Sequence, residues 1–186
     1  MKIAITGGIG SGKSYVCRLL EQRGIAIYDC DAAAKRLMRH SASIKQQLCQ
    51  LIGPDTYDAE GHLNKAAVAT YLLQSETNAK AIDQIVHPAV AANFMDSGMQ
   101  WMECAILFES GFEKLVDKVI IVTAPEQVRI ARVMKRDGIS AEKAREWINR
   151  QWPQEQVRQR ADYEIVNDGQ QALAPQIESI LNNIES

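Results

Sequence analysis

The chain has 186 residues, 46% of them hydrophobic, with 21 Lys/Arg against 23 Asp/Glu for a formal charge of −2. This suits one α/β unit with small insertions, and no global field argues for nucleic acid or a membrane as partner. Cys17, Cys30, Cys49 and Cys104 form no C-x-x-C pair, and no apolar stretch approaches the roughly 18 residues needed to span a bilayer; reduced thiols in a cytoplasmic chain without signal peptide or anchor are expected, rather than a zinc site or disulfide framework.

In chain order, the first predicted strand is Lys2–Thr6. It runs into Gly7-Gly8-Ile9-Gly10-Ser11-Gly12-Lys13-Ser14, which fits G-x-x-x-x-G-K-[ST], and a helical pattern follows at Val16, Leu19 and Leu20. This is a phosphate-binding loop in its proper context. Glycines let the backbone N–H groups curl around polyphosphate. Lys13 supplies a mobile charge for the β- and γ-phosphates, Ser14 a hydroxyl for Mg²⁺, and the helix start a positive dipole end. A glycine-rich turn without ligand would leave the Lys-Ser pair as coincidence. Gly24 is placed to end this helix.

The second strand, Ile25–Tyr28, leads into Asp29-Cys30-Asp31. The carboxyl ends of strands in an open parallel sheet form the ligand crevice, so Asp31 is a candidate to take the proton of a phosphoryl-accepting hydroxyl. The alternative is that Asp31 caps a helix starting at Ala32. Some seventy residues without a convincing strand follow, with helical patterns at 32–38, 44–52, 65–73 and 77–95. Such an insertion is large enough to carry a second substrate. Its middle, Gly53 to Gly61, is rich in turn residues and predicts a surface loop. His87-Pro88 lies inside the last helical pattern, where proline implies a break or kink; His87 is either structural or a contact to the acceptor.

The third strand is predicted at Glu103–Leu107, placing Glu109 just past its end, where it either orients the acceptor and a metal-bound water or is an ordinary surface carboxylate. Strands at Lys118–Val122 and Tyr163–Val166 complete five, alternating with helices as in a parallel sheet covered on both faces. Arg129, Arg132 and Arg136 share one helix face. From 129 to 160 nine Lys/Arg stand against four acids, either a solvated face or, beside ATP, a source of guanidinium for the transferred phosphoryl group. Residues 136–160 read as two short helices around Pro153, a flap hinged at Asp137-Gly138.

Taken together, Thr6 to Ser14, Asp29-Cys30-Asp31, Glu60-Gly61-His62-Leu63, His87-Pro88, Leu107-Phe108-Glu109-Ser110-Gly111, Arg136-Asp137-Gly138 and Ala161-Asp162 with Asn167-Asp168-Gly169 resemble the dephospho-CoA kinases over nearly the whole chain. The resemblance implies a P-loop kinase fold: a five-stranded parallel sheet flanked by helices (about 1–31, 100–135 and 161–186), a helical CoA-binding insertion (about 32–99) and a lid (about 136–160). It also implies transfer of the γ-phosphoryl of ATP to the 3′-hydroxyl of dephospho-CoA with Mg²⁺. By motif, Asp31 becomes the acceptor-side base, and Lys13 and Arg136 the phosphate-stabilising cations. Gly8, Gly10, Ser11, Gly12, Lys13, Ser14 and Tyr15 would line the nucleotide, Arg132 and Asn167 would adjoin adenine, and His87 and Glu109 would line the acceptor side. Tyr15 departs from the family's usual Thr, Ala105-Ile106-Leu107 from Pro-Leu-Leu, and Asn64-Lys65 from Asp-Arg. Two other readings remain. A nucleoside monophosphate kinase would need an arginine cluster in the first insertion, which holds only Arg36 and Arg39. A switch ATPase would take its arginine from a partner.

Overall fold

The computed structural model describes residues 1–185. Five strands, β1 (Ile3–Thr6), β2 (Ile27–Asp29), β3 (Trp101–Glu103), β4 (Lys118–Thr123) and β5 (Tyr163–Val166), form one sheet in the order β2-β3-β1-β4-β5. β1 is central: Ile3 is in register with Trp101 on one side and Lys118 on the other, both pairings parallel, and β4 runs parallel to β5. All four β1 residues are buried, as strands covered on both faces must be.

Nine α-helices accompany the strands among the described residues: α1 (Lys13–Glu21), α2 (Cys30–His40), α3 (Ala42–Ile52), α4 (Lys65–Gln74), α5 (Glu76–Asp96), α6 (Glu126–Asp137), α7 (Ala141–Asn149), α8 (Gln154–Arg158) and α9 (Leu173–Glu185). The chain divides into two compact units, Met1–Tyr28 with the chain from Met99 onward, and Asp29–Gly98. In the first, Val16 and Leu20 of α1 and Ile177 and Ile180 of α9 pack with Ile3, Ile5, Ile120, Val122 and Ile165 of the sheet. Each such side chain contributes about 1.5–3 kcal/mol by leaving water. A second cluster joins Ile130 and Val133 of α6 to Ala144 and Ile148 of α7, with Ile9 packed against it.

The second unit is helical. Asp29, Ser41, Asn64 and Ser75 each accept an N–H in the first turn of α2, α3, α4 and α5, from Ala32, Ile44, Ala67 and Asn78. Such caps contribute about 1 kcal/mol each. Helix α5 packs against α2, α3 and α4, burying Ile82, Val86, Val90 and Phe94. The turn-rich stretch is exposed in part only: Thr56 is buried, and the Tyr57 hydroxyl donates to Met38 O at 2.6 Å.

Three sequence expectations need correction. The second strand is Ile27–Asp29 and its helix starts at Cys30, so the cap is Asp29 and not Asp31. Helix α5 continues through Pro88 without a break. The third strand is Trp101–Glu103, not 103–107; the apolar run after it coils into turns, with Phe112 N–H bonded to Leu107 O, and Leu107 is buried as a plug rather than as a strand residue. Glu109 therefore does not follow a strand end. Glu103 does.

Candidate functional site

Parallel strands place their carboxyl ends on one edge, and four of them converge on the loop 7–14. That loop leaves β1 at Thr6. Glu103 ends β3, Thr123 ends β4, and Asn167, directly after β5, donates its backbone N–H to Thr123 O at 2.8 Å. Helix α1 starts from Gly12 at φ 90° with no side-chain cap, so its first N–H groups remain available to an anion.

The loop's carbonyls are held from outside. Ile9 O accepts from Arg129 Nε (2.9 Å), Gly10 O from Arg132 Nη1 (3.3 Å), and Ser11 O from both Arg132 Nη1 (3.2 Å) and Asn167 Nδ2 (2.9 Å). In a trans peptide the C=O and the following N–H point in opposite directions. Tying these carbonyls outward therefore turns the Gly10 and Gly12 N–H groups to the inner side of the loop, which makes an anion cradle. Arg132 Nη2 also donates to Asn167 Oδ1 at 3.2 Å, locking the two clamps together. Arg129 is 5% exposed, and burial holds its guanidinium below its ordinary pKa. A Cβ on Gly12 would come within 2.0 Å of Asn167 Nδ2, and one on Gly7 within 2.5 Å of Val122 O. Ser11 Oγ is buried, with no hydrogen-bond partner among the described residues.

Lys13 is ion-paired with Glu103, whose Oε1 also accepts from Ser14 Oγ at 2.9 Å. Burial pushes the Glu103 carboxyl up, but the charge of Lys13 and hydrogen bonds from Lys13, Ser14 and Cys17 outweigh it, leaving the group below the usual carboxylate range. The same arrangement acts on Cys17: burial, then the adjacent Glu103, raise its thiol well above the ordinary value. The hydroxyl of Ser14 and the carboxylate of Glu103 are hard oxygen donors side by side, which suits Mg²⁺. Glu103 escaped the sequence reading because the longer apolar run after it drew the strand downstream; the acid directly after Trp101-Met102 was the available signal.

Other expected residues have partners of their own. Tyr15 is half exposed under the Arg18 guanidinium, 5.7 Å from its ring centre. Arg136 continues the row of Arg129 and Arg132 but bonds Asp137, by Nε at 3.0 Å and Nη2 at 2.7 Å, which raises its pKa. Glu109 Oε1 accepts from Trp152 N at 3.3 Å, and its side chain lines a cavity with Thr6, Gly7, Gly8, Arg129 and Gln151. In the helical unit, Asp31 is exposed in the first turn of α2, relieved of capping by Asp29, and His87 Nε2 lies 3.4 Å from Asp83 Oδ1. Among the described residues no helix is long and apolar enough to cross a membrane.

A family model described as CoaE, dephospho-CoA kinase, matches residues 1–172. A dephospho-CoA kinase of Bacteroides fragilis is 40% identical over 188 residues, covering 95% of this chain and 89% of the relative. A crystal structure of TT1252 from Thermus thermophilus superposes with a TM-score of 0.84 at 30% identity, over 99% of this chain and 97% of the other. A dephospho-CoA kinase from Campylobacter jejuni shares the fold at a TM-score of 0.68 and 21% identity, over 100% and 96%.

Proposed function

The chain belongs to the dephospho-CoA kinase family, the ATP-dependent kinases of the last step of coenzyme A synthesis, and we propose how its residues divide that work. The observation carrying the proposal is the convergence of an outward-clamped phosphate loop with Lys13, Ser14 and Glu103 at one sheet edge. Backbone N–H groups of Gly10, Gly12, Lys13 and Ser14 hold the polyphosphate of ATP, while that of Ser11 closes the loop on Gly8 O at 3.0 Å. Lys13 exchanges Glu103 for phosphate oxygens. Ser14 and Glu103 would hold Mg²⁺, which when bound supplies charge neutralisation on the phosphates.

Asp31 accepts the proton of the dephospho-CoA 3′-hydroxyl as its oxygen bonds to the γ-phosphorus and the bond to the β–γ bridging oxygen breaks, releasing ADP. Arg136 leaves Asp137 to stabilise charge on the transferring group. Arg132 and Asn167, fixed at the loop, border the adenine side, with Tyr15 at the rim; His87 and Glu109 border the acceptor. The transfer is in-line, without a phosphoenzyme, in the cytoplasm.

A coupled ADP-release assay with ATP and Mg²⁺, offering dephospho-CoA, AMP or no acceptor, with mass spectrometry of the product, tests this. Conversion of dephospho-CoA to CoA alone is expected. Transfer to AMP would make the chain a nucleotide kinase, and acceptor-independent ADP release a switch ATPase. Asp31→Ala should lower turnover by about 10²–10⁴-fold with ATP binding intact; near-normal turnover removes Asp31 from the mechanism.

A further inference from the structure

Ile9, at the apex of the phosphate loop, is gripped three ways. Its C=O accepts from Arg129 Nε at 2.9 Å, its N–H donates to Gln151 Oε1 at 2.7 Å, and its side chain packs against the cluster of Ile130, Val133, Ala144 and Ile148. Two of these holds come through the 138–160 segment, Gln151 directly and Ala144 with Ile148 through α7. The Gln151 bond is specific in its chemistry, since a backbone N–H requires an acceptor and the carboxamide oxygen is the atom presented. Gln151 and the Arg129 guanidinium both crowd Gly8, where an added Cβ would lie 3.2 Å from Gln151 Oε1 and 2.4 Å from Arg129 Nη2.

The arm carrying Gln151 is itself fastened to the sheet unit. Trp152 N donates to Glu109, its ring stacks on Phe108 at 6.1 Å and 7°, and Arg160 lies over both rings, 4.3 Å from the Phe108 centre and 5.5 Å from that of Trp152. Gln154 Oε1 accepts from Ala124 N at 3.1 Å. The arm so anchored delivers one side-chain oxygen to one phosphate-loop amide.

We propose that Gln151 is a positioning residue for phosphoryl transfer, setting the phosphate loop through the Ile9 peptide in concert with Arg129. With N–H and C=O of Ile9 both tied, the peptide planes on either side of it cannot rotate, and the Gly10 N–H stays directed to the inner side of the loop. ATP then meets a formed cradle, and less loop-ordering entropy is lost on binding. This rests on the kinase reading above and adds to it the residue that shapes the nucleotide site.

The test is steady-state kinetics of Gln151→Leu and Gln151→Ala beside Gln154→Leu, which removes the same kind of bond from the same arm at Ala124 instead of Ile9. Both Gln151 variants should raise KM for ATP about tenfold, the scale of one lost hydrogen bond, with KM for dephospho-CoA within about twofold and the melting temperature close to wild type. Gln154→Leu should leave KM for ATP within about twofold. An unchanged KM for ATP in the Gln151 variants, or an equal rise in Gln154→Leu, would overturn the proposal, because arm anchoring alone would then account for the effect. Wild-type conversion of dephospho-CoA in the same assay checks the kinase reading separately. If that conversion fails, titration of wild type and Gln151→Leu with a fluorescent ATP analogue still decides the role of Gln151.

Discussion

Gly12 is constrained twice over. Its φ of 90° lies in the left-handed region and its missing Cβ leaves room for Asn167 Nδ2, 2.0 Å from where that atom would be. Holding an alanine in that left-handed conformation would cost about 1–2 kcal/mol, and relieving the clash would break the Asn167 bond to Ser11 O that holds the cradle. Gly12→Ala should therefore weaken ATP binding about a hundredfold, or ~2.8 kcal/mol, by nucleotide titration; affinity within a few fold of wild type would show that the loop relaxes freely. Glu103, whose Oε1 accepts from Ser14 Oγ, is the second oxygen donor of the proposed metal site. Glu103→Gln preserves its shape and removes its charge, so the Mg²⁺ concentration for half-maximal activity should rise about tenfold. Unchanged Mg²⁺ activation would detach Glu103 from the metal.

Among the elements, α6 matters most to the site because one face carries three arginines with three settings. Arg129 is buried against Ile9, Arg132 is bonded to Gly10, Ser11 and Asn167, and Arg136 is solvent-facing and paired with Asp137. Only Arg136 can change partner without dismantling the loop, which makes it the arginine suited to the transferring group. Arg136→Ala should lower kcat by about 10²–10³-fold while leaving KM for ATP nearly unchanged. Arg136→Lys should recover little, since an ammonium lacks the planar fork. A loss confined to KM would instead make Arg136 a ground-state contact. The phosphate loop, the spacing of this arginine row and the helices of the first insertion were legible because each is a local pattern of glycine, charge or apolar period. Glu103 and Gln151 were not. Glu103 depends on where β3 stops, and a buried turn at 104–108 has the same apolar composition as a strand. Gln151 depends on a contact across 142 positions, which no local period encodes. The continuity of α5 through Pro88 was hidden likewise, because packing against three helices outweighs a single lost backbone hydrogen bond.

At the scale of the whole molecule, acid should be the weak direction, and two carboxylates on the sheet unit say why. Glu103 is held low against its burial by Lys13, Ser14 and Cys17. Asp162, at the entry to β5, is pushed up by burial but brought lower by Lys118 Nζ at 2.9 Å and Val119 N at 2.8 Å, fastening β5 to β4. A carboxyl whose pKa is lower folded than unfolded contributes stability that is complete above its unfolded value and disappears as pH falls through the folded one. The ordinary values are 4.5 for Glu103 and 3.8 for Asp162, so the loss begins near those pH values and is complete only below the depressed ones. Wild-type melting temperature should accordingly be flat from neutral pH down to about pH 5 and then fall steeply. Asp162→Ala should melt lower than wild type at neutral pH, and the gap should close as pH drops, because protonated Asp162 no longer binds Lys118 as a charge. The same narrowing is expected for Glu103→Gln, from the Lys13 pair. Thermal melts of the three proteins across the acid range would decide it: a gap that stays constant with pH would mean that packing, and not these charges, ties the strands together.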